Sequence, residues 1–232
     1  MYPLPFVLTV LLLAGQSLAA IKIMALGDSI TGSPGCWRAL LYRKLQTAGL
    51  TTNTDFVGTL QPDGCGFTYD GQHEGHASMF ATNIASQNLL TGWLAATKPD
   101  VVMMHLGTND VWSAKSPTEL LGAYATLVKQ MRASNSRMKI LVAQIIPLNP
   151  RETSPCAECP QRVVALDQAI PQWAAGLNST ESPITVVDCY TGFNPATDTG
   201  DGVHPNEAGN EKLADAWFAP LASVIRTFGE GS

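Results

Sequence analysis

Three short segments carry residue types that could do chemistry together: Gly27-Asp28-Ser29-Ile30-Thr31, Gly107-Thr108-Asn109-Asp110 and Asp201-Gly202-Val203-His204-Pro205. A serine hydroxyl is a weak nucleophile at neutral pH and needs a base, for which histidine is the natural choice. An acid on the far imidazole nitrogen fixes the tautomer and steadies the imidazolium, and Asp201 precedes His204 closely enough to reach it. An asparagine amide is the kind of donor that holds the oxyanion of a tetrahedral intermediate. Each segment also has a plainer reading. Ser29 could cap a helix, Gly107 and Asn109 suit a turn, and His204 could be incidental to a surface turn.

The rhythm of the chain decides where these segments stand. Short apolar runs at 21–26 (ending at Gly27), 55–59, 101–106, 140–146 and 184–187 read as strands. Between them, apolar residues at helical spacing mark helices at 37–48, 83–96, 117–132, 161–175 and 206–228. Gly49 makes a stop for the first helix, and Ser116 with Glu119 forms a capping-box pattern before the third. Pro171 is expected to end or kink its helix, and Pro220 to interrupt the last one. Near-continuous apolar strands separated by helices predict a parallel sheet covered on both faces. The expected fold is therefore α/β, a three-layer α/β/α flavodoxin-like sandwich with a five-stranded parallel sheet. Such sheets bind ligands beyond the carboxyl ends of their strands, and each chemical segment follows a predicted strand.

Taken in order, the three segments resemble the blocks of the SGNH (GDSL-type) hydrolases, and the resemblance spans nearly the whole chain after residue 20. It implies Ser29 as nucleophile and backbone oxyanion donor, Asn109 as side-chain donor, His204 as base and Asp201 as its orienting acid, with no cofactor. The GxSxG elbow of ordinary α/β-hydrolases is absent. One block departs from the pattern. The family places a glycine after strand two, whose N–H is a third oxyanion donor; here His73-Glu74-Gly75-His76-Ala77-Ser78-Met79 puts Ser78 at that place, with Gly75 three residues earlier. A backbone donor survives the change if the backbone angles suit a serine. His73 and His76 lack the HExxH spacing and a third ligand, so hydrogen-bonded structural roles are expected for them rather than a metal site. His105, inside the third predicted strand, reads as a satisfied histidine either of the core or just behind the residues of the site.

The HEGH stretch after Tyr69-Asp70-Gly71, and SPGCW after GDSIT, resemble carbohydrate esterase family 3, whose members deacetylate xylan. Trp37, Phe67, Tyr69 and Trp112 flank the chemical segments, where aromatic faces can stack on pyranose rings or simply pack in a core. No long apolar lid is visible. The resemblance implies a carboxylic ester hydrolase acting on acetylated polysaccharide or oligosaccharide. A lipolytic esterase or thioesterase of the same fold, and a non-catalytic carbohydrate-binding protein, are the alternatives.

Composition agrees. The 232 residues are 45% hydrophobic and 14% charged with net charge −5, which suits one globular domain over residues 20–232. Without a Lys/Arg cluster the chain offers no footprint for nucleic acid. Residues 1–19 read as a secretory signal peptide: 6–14 are apolar but for Thr9, and Ser17 and Ala19 suit a cleavage site, although the α-amino group alone would make its positive end. The run is short for a bilayer span, so a secreted, extracellular monomer without membrane attachment is expected. Five cysteines fit an oxidising destination. Cys36 and Cys65, both following glycine in loop-like sequence, make an attractive pair; a second would come from Cys156, Cys159 and Cys189, among which the sequence does not choose. The Cys156-x-x-Cys159 spacing, without a second CxxC or a nearby His pair, suits a structural role better than zinc or redox chemistry. Asn178-Ser179-Thr180 is a glycosylation sequon.

Overall fold

A computed structural model describes residues 19–32, 34–150 and 156–229 of the chain. The expected signal peptide thus lies, but for Ala19, outside the described residues. Six parallel strands form one sheet: β1 (Ile21–Gly27), β2 (Thr54–Phe56), β3 (Glu74–Gly75), β4 (Val101–His105), β5 (Lys139–Gln144) and β6 (Ile184–Asp188). Their order is β2-β1-β4-β5-β6, and β3 also pairs with β1. This is the flavodoxin-like order with one strand more than the sequence suggested. The extra strand is only two residues long, too short to leave a periodic pattern. It shares an edge of β1 with β2: β2 pairs with Ile21–Ile23, and β3 with Leu26 and Gly27.

Alternation along the strands separates two cores. Ile21, Ile23 and Ala25 of β1 face α1 (Trp37–Thr47) and α8 (Glu207–Thr227), with Val101, Met103, Leu141 and Ala143 beside them. Met24 and Leu26 face the opposite way, with Val102, Met104, Ile140 and Val142, towards α2 (Ala81–Ser86), α3 (Leu89–Thr97), α5 (Pro117–Ser134) and α6 (Cys159–Leu177). Residues 83–96 are two helices rather than one, because Asn88 between them adopts a left-handed φ of 58°. The capping box of α5 is complete in both directions between Ser116 and Glu119.

Neither proline ends its helix: α6 continues past Pro171 and α8 past Pro220. A proline cannot donate to the carbonyl four residues earlier. For Pro171 that carbonyl belongs to Asp167, and the Gln144 side chain donates to it instead at 2.9 Å. Cys36 is bonded to Cys65, and Cys156 to Cys159, leaving Cys189 reduced and buried. No helix among the described residues is long and apolar enough to cross a membrane.

Candidate active site

Strand register aligns the carboxyl ends of β1, β3 and β4, since Gly27 lies opposite both Gly75 and His105. The chain leaves β1 in one direction across the sheet and returns to place β4 on the other side. The crevice between them is the topological switch point, where ligands bind in such sheets. Residues 28–32 leave β1 as a tight turn closed by Gly32 N–H donating to Asp28 O (2.8 Å) and Ile30 N–H donating to Asp28 Oδ1 (3.0 Å). Gly27 admits no side chain, because a Cβ there would lie 2.7 Å from the His105 carbonyl oxygen. Asp28 is wholly buried, and desolvation pushes its carboxyl up to about 6 against the opposing pull of the Ile30 hydrogen bond. Ser29 caps no helix: α1 starts only at Trp37.

Ser29 Oγ lies 2.9 Å from His204 Nε2, and His204 Nδ1 lies 2.7 Å from Asp201 Oδ2. The tautomer consistent with both bonds carries its proton on Nδ1, so Nε2 accepts from the serine hydroxyl. Asp201 Oδ1 accepts the backbone N–H groups of Val203 (2.9 Å) and His204 (2.7 Å). Partial desolvation works to raise the Asp201 pKa, but the bonds from His204 and Val203 outweigh it and hold the carboxyl below its ordinary value. Gly202 has φ +90°, and a Cβ there would lie 1.8 Å from the Asn149 carbonyl oxygen. The same two backbones are joined by Asn149 N–H donating to Gly202 O at 2.9 Å.

Asn109 stands on α4 (Thr108–Trp112), a short helix where the sequence suggested a turn. Its Nδ2 donates to Met79 O at 3.0 Å, which ties it to the loop carrying Ser78 and leaves the second amide N–H available. Ser78 adopts φ +61°, the left-handed region that favours glycine, and its N–H has no acceptor among the described residues. The Gly75 N–H is already engaged by His73 Nδ1 at 3.1 Å. Of the two residues that could present a backbone donor here, Ser78 is the one with a donor to offer.

Other residues singled out from the sequence fall elsewhere. Trp37 is 1% exposed, stacks on Trp217 and donates its indole N–H to Ile30 O at 2.9 Å. No face of that ring is open to a sugar, which corrects its expected binding role. Tyr69 is half-buried, its ring between Tyr42 and Phe67 on the α1 side. Arg43 lies over the Phe67 ring. Trp112 remains half-buried beside Asn109.

His73 bonds Gln61 O through Nε2, and burial pushes its pKa down to about 4. His76 donates to Glu74 Oε1 at 2.6 Å and stacks on Trp93. His105 is only half satisfied among the described residues, a correction: Nε2 accepts from Ile146 N–H, while the buried Nδ1 has no partner there. No group of three or more His, Cys, Asp or Glu among the described residues is arranged to hold a metal ion.

Two buried residues grip the site, Asp110 from within the Gly107–Asp110 segment and Arg38 from outside all three segments. Asp110 accepts from Ala81 N–H (2.7 Å), Thr82 N–H (3.2 Å) and Thr82 Oγ1 (2.7 Å), fixing α2 directly after the Ser78 loop. Arg38 reaches the turn that carries Ser29 from within the molecule.

The fold and this crevice define a hydrolase of the doubly wound α/β type. The model of the GDSL-like lipase/acylhydrolase family matches residues 25–212, and the chain belongs to that family, an esterase or acylhydrolase by class. It is similar to a carbohydrate esterase family 3 protein from Talaromyces cellulolyticus (35% identity, TM-score 0.81, covering 89% of this chain and 99% of that one). It is also similar to an acetyl esterase mutant crystallised with an acetate ion (34% identity, TM-score 0.81, 90% and 99% covered). A multidomain esterase of Ruminococcus flavefaciens is 27% identical over 89% of this chain, which spans 29% of that relative's length.

Proposed function

We propose that this protein is a secreted serine esterase that removes acetyl groups from xylan or a related plant polysaccharide. The observation that carries the reading is the hydrogen-bonded relay from Ser29 through His204 to Asp201 at the sheet's switch point. In the first half-reaction Ser29 Oγ attacks the acetyl carbonyl as His204 Nε2 takes its proton. The oxyanion is held by the N–H groups of Ser29 and Ser78 and by Asn109 Nδ2. Collapse expels the sugar hydroxyl, which receives the proton from His204, and leaves an acetyl-serine. Water, deprotonated by His204, then releases acetate and restores the serine.

Two further observations support this substrate class. The side chains of His204 and Asp201 are 49% and 53% exposed, so the base lies open at the surface, as an ester on a polymer requires. The similar proteins at 34% and 35% identity are an acetyl esterase and a carbohydrate esterase. Export is supported by the two disulfides. Asn178 lies exposed at the C-terminal end of α6, where its Oδ1 accepts from Ile184 N–H at the amino end of β6; a glycan at that end of the sheet leaves the mouth at the carboxyl ends clear.

The test is acetate release from acetylated xylan by the wild type and by Ser29→Ala. Release by the first and almost none by the second is expected. Equal release by both overturns Ser29 as nucleophile. If neither acts on xylan while short nitrophenyl esters are cleaved, the esterase stands and the polysaccharide does not; a preference for long acyl chains assigns the protein to lipolysis.

A further inference from the structure

Arginine is among the residues least often fully buried, since its charge must be taken from water. Arg38 is nevertheless 2% exposed, on the first turn of α1. Its guanidinium collects main-chain carbonyls: Nε donates to Thr31 O (2.7 Å), Nη2 to Gly32 O (3.0 Å) and Pro34 O (3.4 Å), and Nη1 to Gly71 O (2.6 Å). Burial lowers its pKa from the ordinary value, and Tyr69 and Asp63 nearby oppose that fall without cancelling it. Its neighbour Trp37 takes the one carbonyl of this run that Arg38 does not, Ile30 O.

Two consecutive residues of α1 thus draw down the carbonyls of residues 30, 31 and 32, all of the turn that follows Ser29. Holding Thr31 O sets the peptide whose N–H, at Gly32, donates to Asp28 O, the carbonyl of the peptide that carries the Ser29 N–H; that N–H has no acceptor among the described residues. The contact to Gly71 extends the grip to the chain leading into β3. There Gly75 packs against Gly32 so closely that a Cβ on Gly75 would lie 2.5 Å from Gly32 N. One planar, five-donor group therefore fixes the turn carrying the Ser29 donor and the approach to the loop carrying the Ser78 donor. A lysine ammonium is a compact point charge and cannot reproduce that fork.

We propose that Arg38 is a positioning residue for the oxyanion site, orienting the nucleophile turn and aligning it with the Ser78 loop. This rests on the assignment of Ser29 as nucleophile. The test compares Arg38→Lys and Arg38→Gln with the wild type and with Ser29→Ala on a short nitrophenyl acetate. It adds thermal melts and the affinity of each variant for a small alkylboronic acid, which mimics the tetrahedral intermediate. A displaced oxyanion site predicts kcat lowered about 100-fold with KM little changed, because misplacement of about 1 Å has that effect. Boronate affinity falls in parallel, as expected for contacts realised only in the transition state.

A merely structural arginine would lower the melting temperature and leave kcat per folded molecule at the wild-type value, which overturns the proposal. Failure of both variants to fold overturns it as well, by assigning Arg38 to the fold. An active Ser29→Ala removes the nucleophile assignment on which the proposal rests. An inactive Ser29→Ala beside wild-type kcat in both Arg38 variants removes Arg38 alone.

Discussion

Ser29 and Asn109 stand on elements braced by buried side chains, whereas His204 and Asp201 stand on an exposed loop whose acid arm is held by its own neighbours and whose backbone is tied to Asn149 at Gly202. On the first side the supports are buried and come from separate elements: Arg38 of α1 beneath the Ser29 turn, Asp110 of α4 against the start of α2, and Glu74 of β3 accepting from Thr59 and His76. On the second side Asp201 folds back on its own neighbours, accepting the N–H groups of Val203 and His204 and the imidazole itself. The difference follows from the two tasks. Donors for an oxyanion act only when fixed in advance, while a base must travel slightly between serine, leaving group and water.

The comparison can be broken at three points. The largest effect is expected from Asp201→Asn, which keeps the shape of the acid arm and removes its charge. Steady-state kinetics on a short acetate ester should show kcat lowered about 10²- to 10³-fold, short of the ~10⁴ found where the acid of a triad is buried, because this pair is half exposed. A full 10⁴-fold loss would show that exposure does not weaken this arm.

Next comes Gly202→Ala. The loop cannot accept a Cβ without moving from the Asn149 backbone, and φ +90° is strained for alanine. We expect a destabilisation of about 1–3 kcal/mol in denaturant titration and kcat reduced about tenfold to 100-fold through the shift of His204. Unchanged kcat would mean that the arm tolerates displacement that the oxyanion side does not.

The smallest effect on turnover belongs to Asp167, which supports the end of β5 from behind by accepting the Ile145 N–H at 2.9 Å. Burial pushes its carboxyl up from 3.8 to about 8. The folded chain therefore keeps a proton that the unfolded chain releases. Stability from this group is complete below 3.8 and is lost as pH rises towards about 8. Asp167→Asn removes that titration and should flatten the decline of Tm over this window with kcat unchanged, read by scanning calorimetry in a pH series. A decline as steep as the wild type's would place the titrating group elsewhere.

Motif and rhythm made most of this molecule legible. The three segments stand where the apolar runs placed them, and Cys36 pairs with Cys65. What stayed hidden has a common physical character. Trp37 flanks the site in sequence, but side-chain direction turns it inward, and adjacency along the chain carries no such vector. Arg38 looks like an ordinary surface charge until its partners, up to 33 residues away, are seen to be backbone carbonyls, and the Asp110 carboxylate shows its task only when Ala81 and Thr82 at the start of α2 are seen to donate to it. Pro171 misled for the same reason: the carbonyl it abandons is rescued by Gln144, on a strand the helix itself does not contain.

The hydrogen bond between Ser29 and His204 joins residues 175 positions apart. Every strand pairing in the sheet is parallel, so each requires a crossover before it can close. No short fragment can contain a working version of this site, and topology of this kind folds slowly because distant contacts must be closed before they reward the chain. Hydrolysis is thus a late reporter of folding: while a nascent chain is being completed, its serine and histidine are too far apart to cooperate. Recovery of turnover after denaturation would time the docking of the final loop rather than the appearance of secondary structure.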